Sequence, residues 1–194
     1  MKRRAAVLAW VVAAATACGV TAESSPTFSD DDSVPFQLLE DAPPTTSPPT
    51  TILTAASDIC LARGATLVPA RRPVERASDA ASVLATLADG PTRDERRAGL
   101  RSPLFAEGLV AGVSARSGVV TVDLAPAFTQ GGAGDQLLAI AGIVCSLTAQ
   151  PGTGQVVFTL AGAAIDVPRG DGSLVSGPVS REDYAALVGP RLGL

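Results

Sequence analysis

Apolar and polar positions along this chain change period several times, and each change predicts an element. Asp58–Arg63 is apolar around Cys60, Gly64 allows a turn, and Thr66–Arg72 resumes as strand-like text. A hairpin is predicted there, with Pro69 marking an edge position or a bulge. Ser78-Asp79 can cap a helix over Ala80–Ala88, where Ala80, Val83, Leu84 and Leu87 share one face, and Asp89-Gly90-Pro91 stops it. Thr92–Arg101 reads as an Arg-rich loop. Leu109–Ala115 and Val119–Leu124 alternate around Arg116-Ser117-Gly118, a second hairpin. Asp135–Ala149 is the strongest helical pattern, ended by Pro151-Gly152, and Gln155–Leu160 follows as a strand. Ala163–Val167 reads as another strand, Arg169–Gly172 as a turn, and Ser180–Asp183 as the cap of a terminal helix through Val188. The order ββ-α-ββ-α-β predicts an α+β fold of two layers, with helices on one face of an antiparallel or mixed sheet.

The N-terminal text follows another logic. Residues 1–17, MKRRAAVLAWVVAAATA, have a basic start and an apolar run from Ala5 to about Ala15, too short to span a bilayer. Cys18, after Ala15-Thr16-Ala17 and before Gly19, resembles the lipobox of bacterial lipoproteins, which implies a diacylglycerol thioether there. The alternative is an ordinary secretory signal in which Cys18 is incidental. Acyl chains at one residue give stable anchoring, at about 0.8 kcal/mol per buried methylene. Residues 18–51 then form a tether. Between Glu23 and Thr51 lie six Pro and six acids with no base, a composition that cannot bury enough apolar surface to fold alone. Within it, Val34–Leu39 is a candidate docking motif interrupted by Pro35. One folded domain, 52–194, is expected beyond it. The expected location is the outer face of the cytoplasmic membrane, with the membrane itself as a partner through the lipid.

Composition narrows the chemistry. The chain has 194 residues, 46% hydrophobic, with no His and with Lys2 as its only lysine. Removing residues 1–17 leaves 12 Arg against 19 acids, a net charge of −7, most of which belongs to the tether. This inventory excludes Ser–His–Asp and Cys–His nucleophiles, Schiff-base lysines and His-bearing zinc sites. Nucleic-acid binding through a basic face is disfavoured. No cofactor and no metal are expected. Cys60 and Cys145 remain as an even pair in an exported chain, which suggests a disulfide; two buried free thiols are the alternative.

Leu67-Val68-Pro69-Ala70-Arg71-Arg72, then Leu87-Ala88-Asp89-Gly90-Pro91-Thr92 and Gly99-Leu100-Arg101-Ser102, resemble the first half of a GerMN domain. Gly118–Leu124 with Phe128, Ile143–Thr148 and Val156-Val157-Phe158 resemble its later strand, helix and strand, so that the resemblance covers about residues 58–167. It implies a fold related to ring-building-motif domains, and no catalytic residues. Members of the family look like lipoproteins that support envelope assemblies, spore formation or germination, or signalling to a membrane sensor kinase; for this chain an envelope protein partner is expected, and sporulation itself is not implied. An exposed sheet edge would be the natural contact surface. Cys60 and Cys145 stand where the family often shows an aromatic, consistent with a paired replacement.

Three constellations remain as candidate sites. Asp89 and Asp123 are carboxylates that could serve acid–base work on glycans if they lay about 5–10 Å apart, although both have ordinary roles as cap and turn residues. Gly131-Gly132-Ala133-Gly134 precedes a helix as an anion cradle would, but lacks a P-loop lysine, and Asp135 would repel a phosphate. Arg93, Arg96, Arg97 and Arg101, with Arg71 and Arg72, form the basic cluster of the domain. Guanidiniums there could grip carboxylates or phosphates of wall polymer such as peptidoglycan, or they could simply pair with Glu75, Asp94 and Glu95.

Overall fold

The structure, a computed structural model, describes residues 55–76 and 79–193. The chain divides into two units, Met1–Pro49 and Thr50–Leu194, and every described residue belongs to the second. The export signal, Cys18, the tether with Val34–Leu39, and Ser78 all lie outside the described residues.

The first hairpin is β1 (Ala55–Arg63) and β2 (Thr66–Val74), paired without a break from Ala55↔Val74 to Arg63↔Thr66. Pro69 makes no bulge. It stands opposite Cys60, whose N–H turns out of the ladder to Ser146 Oγ at 3.0 Å. Such pairs exchange no bonds between the strands, so a proline there removes none. Helix α1 (Ala80–Ala88) follows with Asp79 as its cap: the carboxylate accepts the N–H groups of Ala81 and Ser82, each at 3.3 Å. It buries Val83, Leu84 and Leu87 and ends at Asp89, with Gly90 in the left-handed region at φ +70°.

The expected Arg-rich loop contains a helix, α2 (Arg93–Arg97). Thr92 and Glu95 form a capping box: Thr92 Oγ1 accepts from Glu95 N at 3.3 Å and Glu95 Oε2 from Thr92 N at 2.6 Å. A T-x-x-E signal was present in the sequence, and the polar text around it hid the helix.

The second hairpin is β3 (Val110–Arg116) and β4 (Val119–Leu124), turning on Ser117 at φ 49° and Gly118 at φ 81°. Its register shifts once, between Val110 and Gly112. A 3₁₀ turn, Pro126–Gln130, buries Phe128 and leads into α3 (Ala133–Leu147). This helix begins and ends two residues before the predicted Asp135–Ala149. Gly132 is its N-cap, and Gln136 Nε2 donates to Phe128 O and Gly131 O, each at 3.1 Å, which fixes the entry into the helix. Every residue from Leu138 to Leu147 is buried, so the helix is enclosed rather than laid on a surface.

Beyond α3, β5 (Gln155–Leu160) returns parallel to β4, completing a β-α-β crossover. The predicted strand Ala163–Val167 is divided. Ala163–Ala164, β6, folds back on β5, while Asp166–Pro168, β7, pairs with Leu174–Ser176, β8, across the expected turn. The strands therefore form three open sheets: the β1–β2 ribbon, a four-stranded sheet ordered β3-β4-β5-β6, and the β7–β8 ribbon. The terminal helix is of 3₁₀ type, Arg181–Leu187, with its own capping box between Ser180 and Asp183. It buries Tyr184, whose hydroxyl donates to Pro168 O at 2.9 Å. Burial pushes that phenol well above its ordinary range.

Helix α3 is the hub of the α+β fold. It packs chiefly on β1 and next on α1, and also meets β2, β5, β7 and the terminal 3₁₀ helix. Cys60 of β1 and Cys145 of α3 are joined by a disulfide, with Cα atoms 5.9 Å apart and both residues buried. Beside it Ser146 Oγ donates to Gly142 O at 2.8 Å while receiving Cys60 N–H, and Gln150 Nε2 donates to Ser57 Oγ and to Ser146 O. These buried polar groups are thereby satisfied rather than stranded.

Candidate functional site

The structure disperses the arginines that the sequence groups together. Arg72 turns inward and donates to Glu95 Oε2 and to Gly90 O, both at 3.1 Å, with the Glu95 side chain only 3% exposed. That pair fastens α2 to β2. Arg71 lies 3.7 Å from Asp58 Oδ1. Arg97 pairs with Asp94 at 2.9 Å, and Arg96 donates to Pro91 O. Arg101 reaches Gly64 O and Ser102 O, each at 3.3 Å. Arg93, Arg96 and Arg97 are exposed on one five-residue helix, and Arg101 is exposed apart from them against β1. The guanidiniums of Arg96, Arg97 and Arg101 are already engaged by acids or carbonyls of their own chain.

The two carboxylates singled out above have separate tasks. Asp89 caps the end of α1 and lines a surface groove. Asp123, on β4, accepts Thr159 Oγ1 at 2.6 Å and Gly162 N–H at 2.8 Å, so it clasps the β5–β6 turn. These hydrogen bonds hold its carboxyl below the usual carboxylate range. A carboxylate kept ionised by two donors is suited to binding a turn, not to delivering a proton. In the Gly131–Gly134 segment Gly131 is closed in by packing, since a Cβ there would collide with the Phe105 ring, while Gly132, Ala133 and Gly134 are exposed and Asp135 follows them. Among the described residues no cluster of three His, Cys, Asp or Glu is placed to hold a metal. No helix among them is long and apolar enough to cross a membrane.

What the structure adds is a contrast between strand edges. The outer edge of β1 is closed by Ser146 Oγ on Cys60 N–H and by Arg101, which exchanges backbone bonds of 2.8 and 2.9 Å with Ala62. The outer edge of β2 is closed by the C-terminal tail: Gly189 N donates to Leu67 O at 2.8 Å and Leu192 N to Pro69 O at 2.9 Å. Arg191, on the same tail, binds Asp58. Strand β3 is different. It ends the four-stranded sheet, and among the described residues no strand or bridge pairs with its outer side.

Register identifies the groups on that side. Arg116↔Val119 closes a two-residue turn, so Arg116 and Ser114 bond to β4, while Val113 and Ala115 direct N–H and C=O outward. The exposed strand, VAGVSAR, carries no Pro, no Lys and no acid, and its one charge is Arg116 at the turn. Open edges ordinarily carry such blocking residues, and the protective device β3 does carry is the bulge between Val110 and Gly112, at the end away from the turn. At the start of β3 lies a groove of about 380 Å³ lined by Asp89, Pro91, Ser102, Phe105, Glu107 and Val110. A second groove, about 360 Å³, lies between Gly64, Arg101, Asp135 and Leu187.

Residues 59–166 match the family described as Germane, sporulation and spore germination. Among solved structures, the tandem GerMN domains of the sporulation protein GerM from Bacillus subtilis are similar at 19% identity and a TM-score of 0.53. The match covers 67% of this chain and 47% of that one, so the chain spans about half the length of the tandem structure. The first GerMN domain of the same protein is similar at 21% identity and a TM-score of 0.53, covering 66% of this chain and 99% of that domain. At such identities the likeness is one of fold. No curated protein matches.

Proposed function

The chain belongs to the Germane family of sporulation and spore germination domains, and from that premise we propose that it is an exported, lipid-anchored module that acts by protein–protein contact rather than by catalysis. In this reading residues 1–17 are removed, Cys18 carries the lipid, residues 18–51 are the tether, and 52–194 is the domain held outside the cytoplasm as part of an envelope assembly or signalling complex. The observation that carries the contact reading is the edge of β3, where Val113 and Ala115 offer backbone groups with no partner among the described residues, while both edges of the β1–β2 ribbon are met near its turn. Asp123, one of the two carboxylates weighed for glycan chemistry, supports it too, since it is engaged in clasping a turn.

Two measurements test the proposal. Metabolic palmitate labelling of the full chain is expected, with loss in Cys18→Ser; no label in either chain would refute the anchor. Photo-crosslinking from Ala115 in intact membranes is expected to capture a protein, whereas crosslinking from the exposed Leu174 is not. Retention on purified wall, lost in Arg96→Ala/Arg97→Ala, with no crosslink from Ala115, would favour instead a wall-polymer binder working through α2 and Arg101.

A further inference from the structure

We propose that two chains pair antiparallel along β3, with the two-fold axis at Val113, so that their sheets join into one continuous eight-stranded surface. The inference rests on the contact reading above and names the partner.

Three observations point to a second copy. The first is parity. A symmetric antiparallel pair needs a residue on the axis whose own N–H and C=O face outward, and Val113 meets that condition because Ser114, its neighbour, bonds inward to Thr121. The second is size: Ala111, Val113 and Ala115 are small or medium side chains, and Gly112 has none, so two backbones can approach without obstruction. The third is charge. With Val113 on the axis the regular part of β3 pairs Gly112 through Ser114, and the bulge between Val110 and Gly112 bends the strand beyond it, so the Arg116 end of one copy comes beside the Val110 end of the other, where the groove opens. That groove carries Glu107 and Asp89 and no basic residue, and the tip carries Arg116 and no acid. All three are exposed, and none forms an ion pair among the described residues. The two-fold axis makes this match twice.

The test uses the full chain. Sedimentation velocity should show a dimer whose fraction rises with concentration. Val113→Pro should weaken association at least tenfold, because it removes the outward N–H while leaving the bonds to β4 intact. Arg116→Glu and Glu107→Arg should each weaken association, and together restore it. In membranes, oxidation of Val113→Cys should give a covalent dimer absent from the parent chain and from Leu174→Cys. A monomer at every concentration, with Val113→Cys crosslinking to a different polypeptide, would overturn the self-pairing and leave the contact reading standing. A monomer with no crosslink from Val113→Cys or Ala115 would overturn both.

Discussion

The β1–β2 ribbon and the β3–β4 hairpin begin from the same kind of text, alternating apolar residues around a glycine turn, yet they end in opposite situations. In the half of the ribbon near its turn both edges are met, by Ser146 and Arg101 at Cys60 and Ala62 on one side and by the C-terminal tail at Leu67 and Pro69 on the other, with α3 against it. The hairpin has β4 on one side of β3 and α1 against it, and among the described residues no strand pairs with the other side of β3. A strand whose edge is closed by side chains drawn from distant parts of the chain serves stability. An edge left without Pro, Lys or an acid in its interior is a hazard for aggregation unless a partner covers it. The difference therefore separates the part of the domain that holds it together from the part available to another protein.

If that division is correct, the largest losses of stability come from the ribbon. The Cys60–Cys145 bond closes an 85-residue separation between β1 and α3. Cys60→Ala/Cys145→Ala is expected to cost about 4 kcal/mol in urea unfolding by the chain-entropy relation. Reductant should reproduce that loss in the parent and do nothing further to the variant. Glu95→Ala comes next. It removes the partner of Arg72 and one half of the α2 capping box, and leaves a part-buried guanidinium against Gly90 O. Breaking such a pair costs about 3 kcal/mol, read as a lower urea midpoint with an unchanged slope.

Much of this division was legible in the sequence only as elements. Gly64, Gly90 and Gly118 marked their turns, the spacing of Val83, Leu84 and Leu87 gave the face of α1, and QVVFTL gave β5 with its bounds. Alternation tells which face of a strand is buried, but says nothing about which strand ends a sheet. Hence the open side of β3 and the closed side of β2 looked alike. Closure of β2 comes from Gly189 and Leu192, more than a hundred residues away, in text with no period at all. The arginine cluster failed for a similar reason. Composition counted Arg72 with Arg96 and Arg97, whereas strand position turns it inward to Glu95. Thr92-x-x-Glu95 is a local helix-start signal that the charges following it overshadow.

A medium effect sharpens the contrast at the ribbon's own edge. Ser146 Oγ is the partner of Cys60 N–H, and both are buried. Ser146→Ala leaves that amide with no acceptor, at a cost of about 2 kcal/mol, and hydrogen exchange at Cys60 should accelerate by no more than the global loss. Equal stability in Ser146→Ala would mean that the β1 edge is closed by packing alone.

The smallest effect is expected at the other edge, and it is the most discriminating. Val113→Pro removes an N–H that takes no part in the ladder with β4, so at concentrations where the chain is monomeric its stability should change by less than about 0.5 kcal/mol beyond the proline's own backbone preference. Ser114→Pro, one residue along, removes a bond to Thr121 and should cost about 3 kcal/mol. Adjacent prolines with such different costs would establish that one side of β3 is in use and the other is not. Because association stabilises by mass action, the gap between parent and Val113→Pro should then widen as protein concentration rises, while the gap between Ser114→Pro and Val113→Pro stays fixed. A gap between parent and Val113→Pro that ignores concentration would place the cost inside the monomer, and the edge would belong with the ribbon after all.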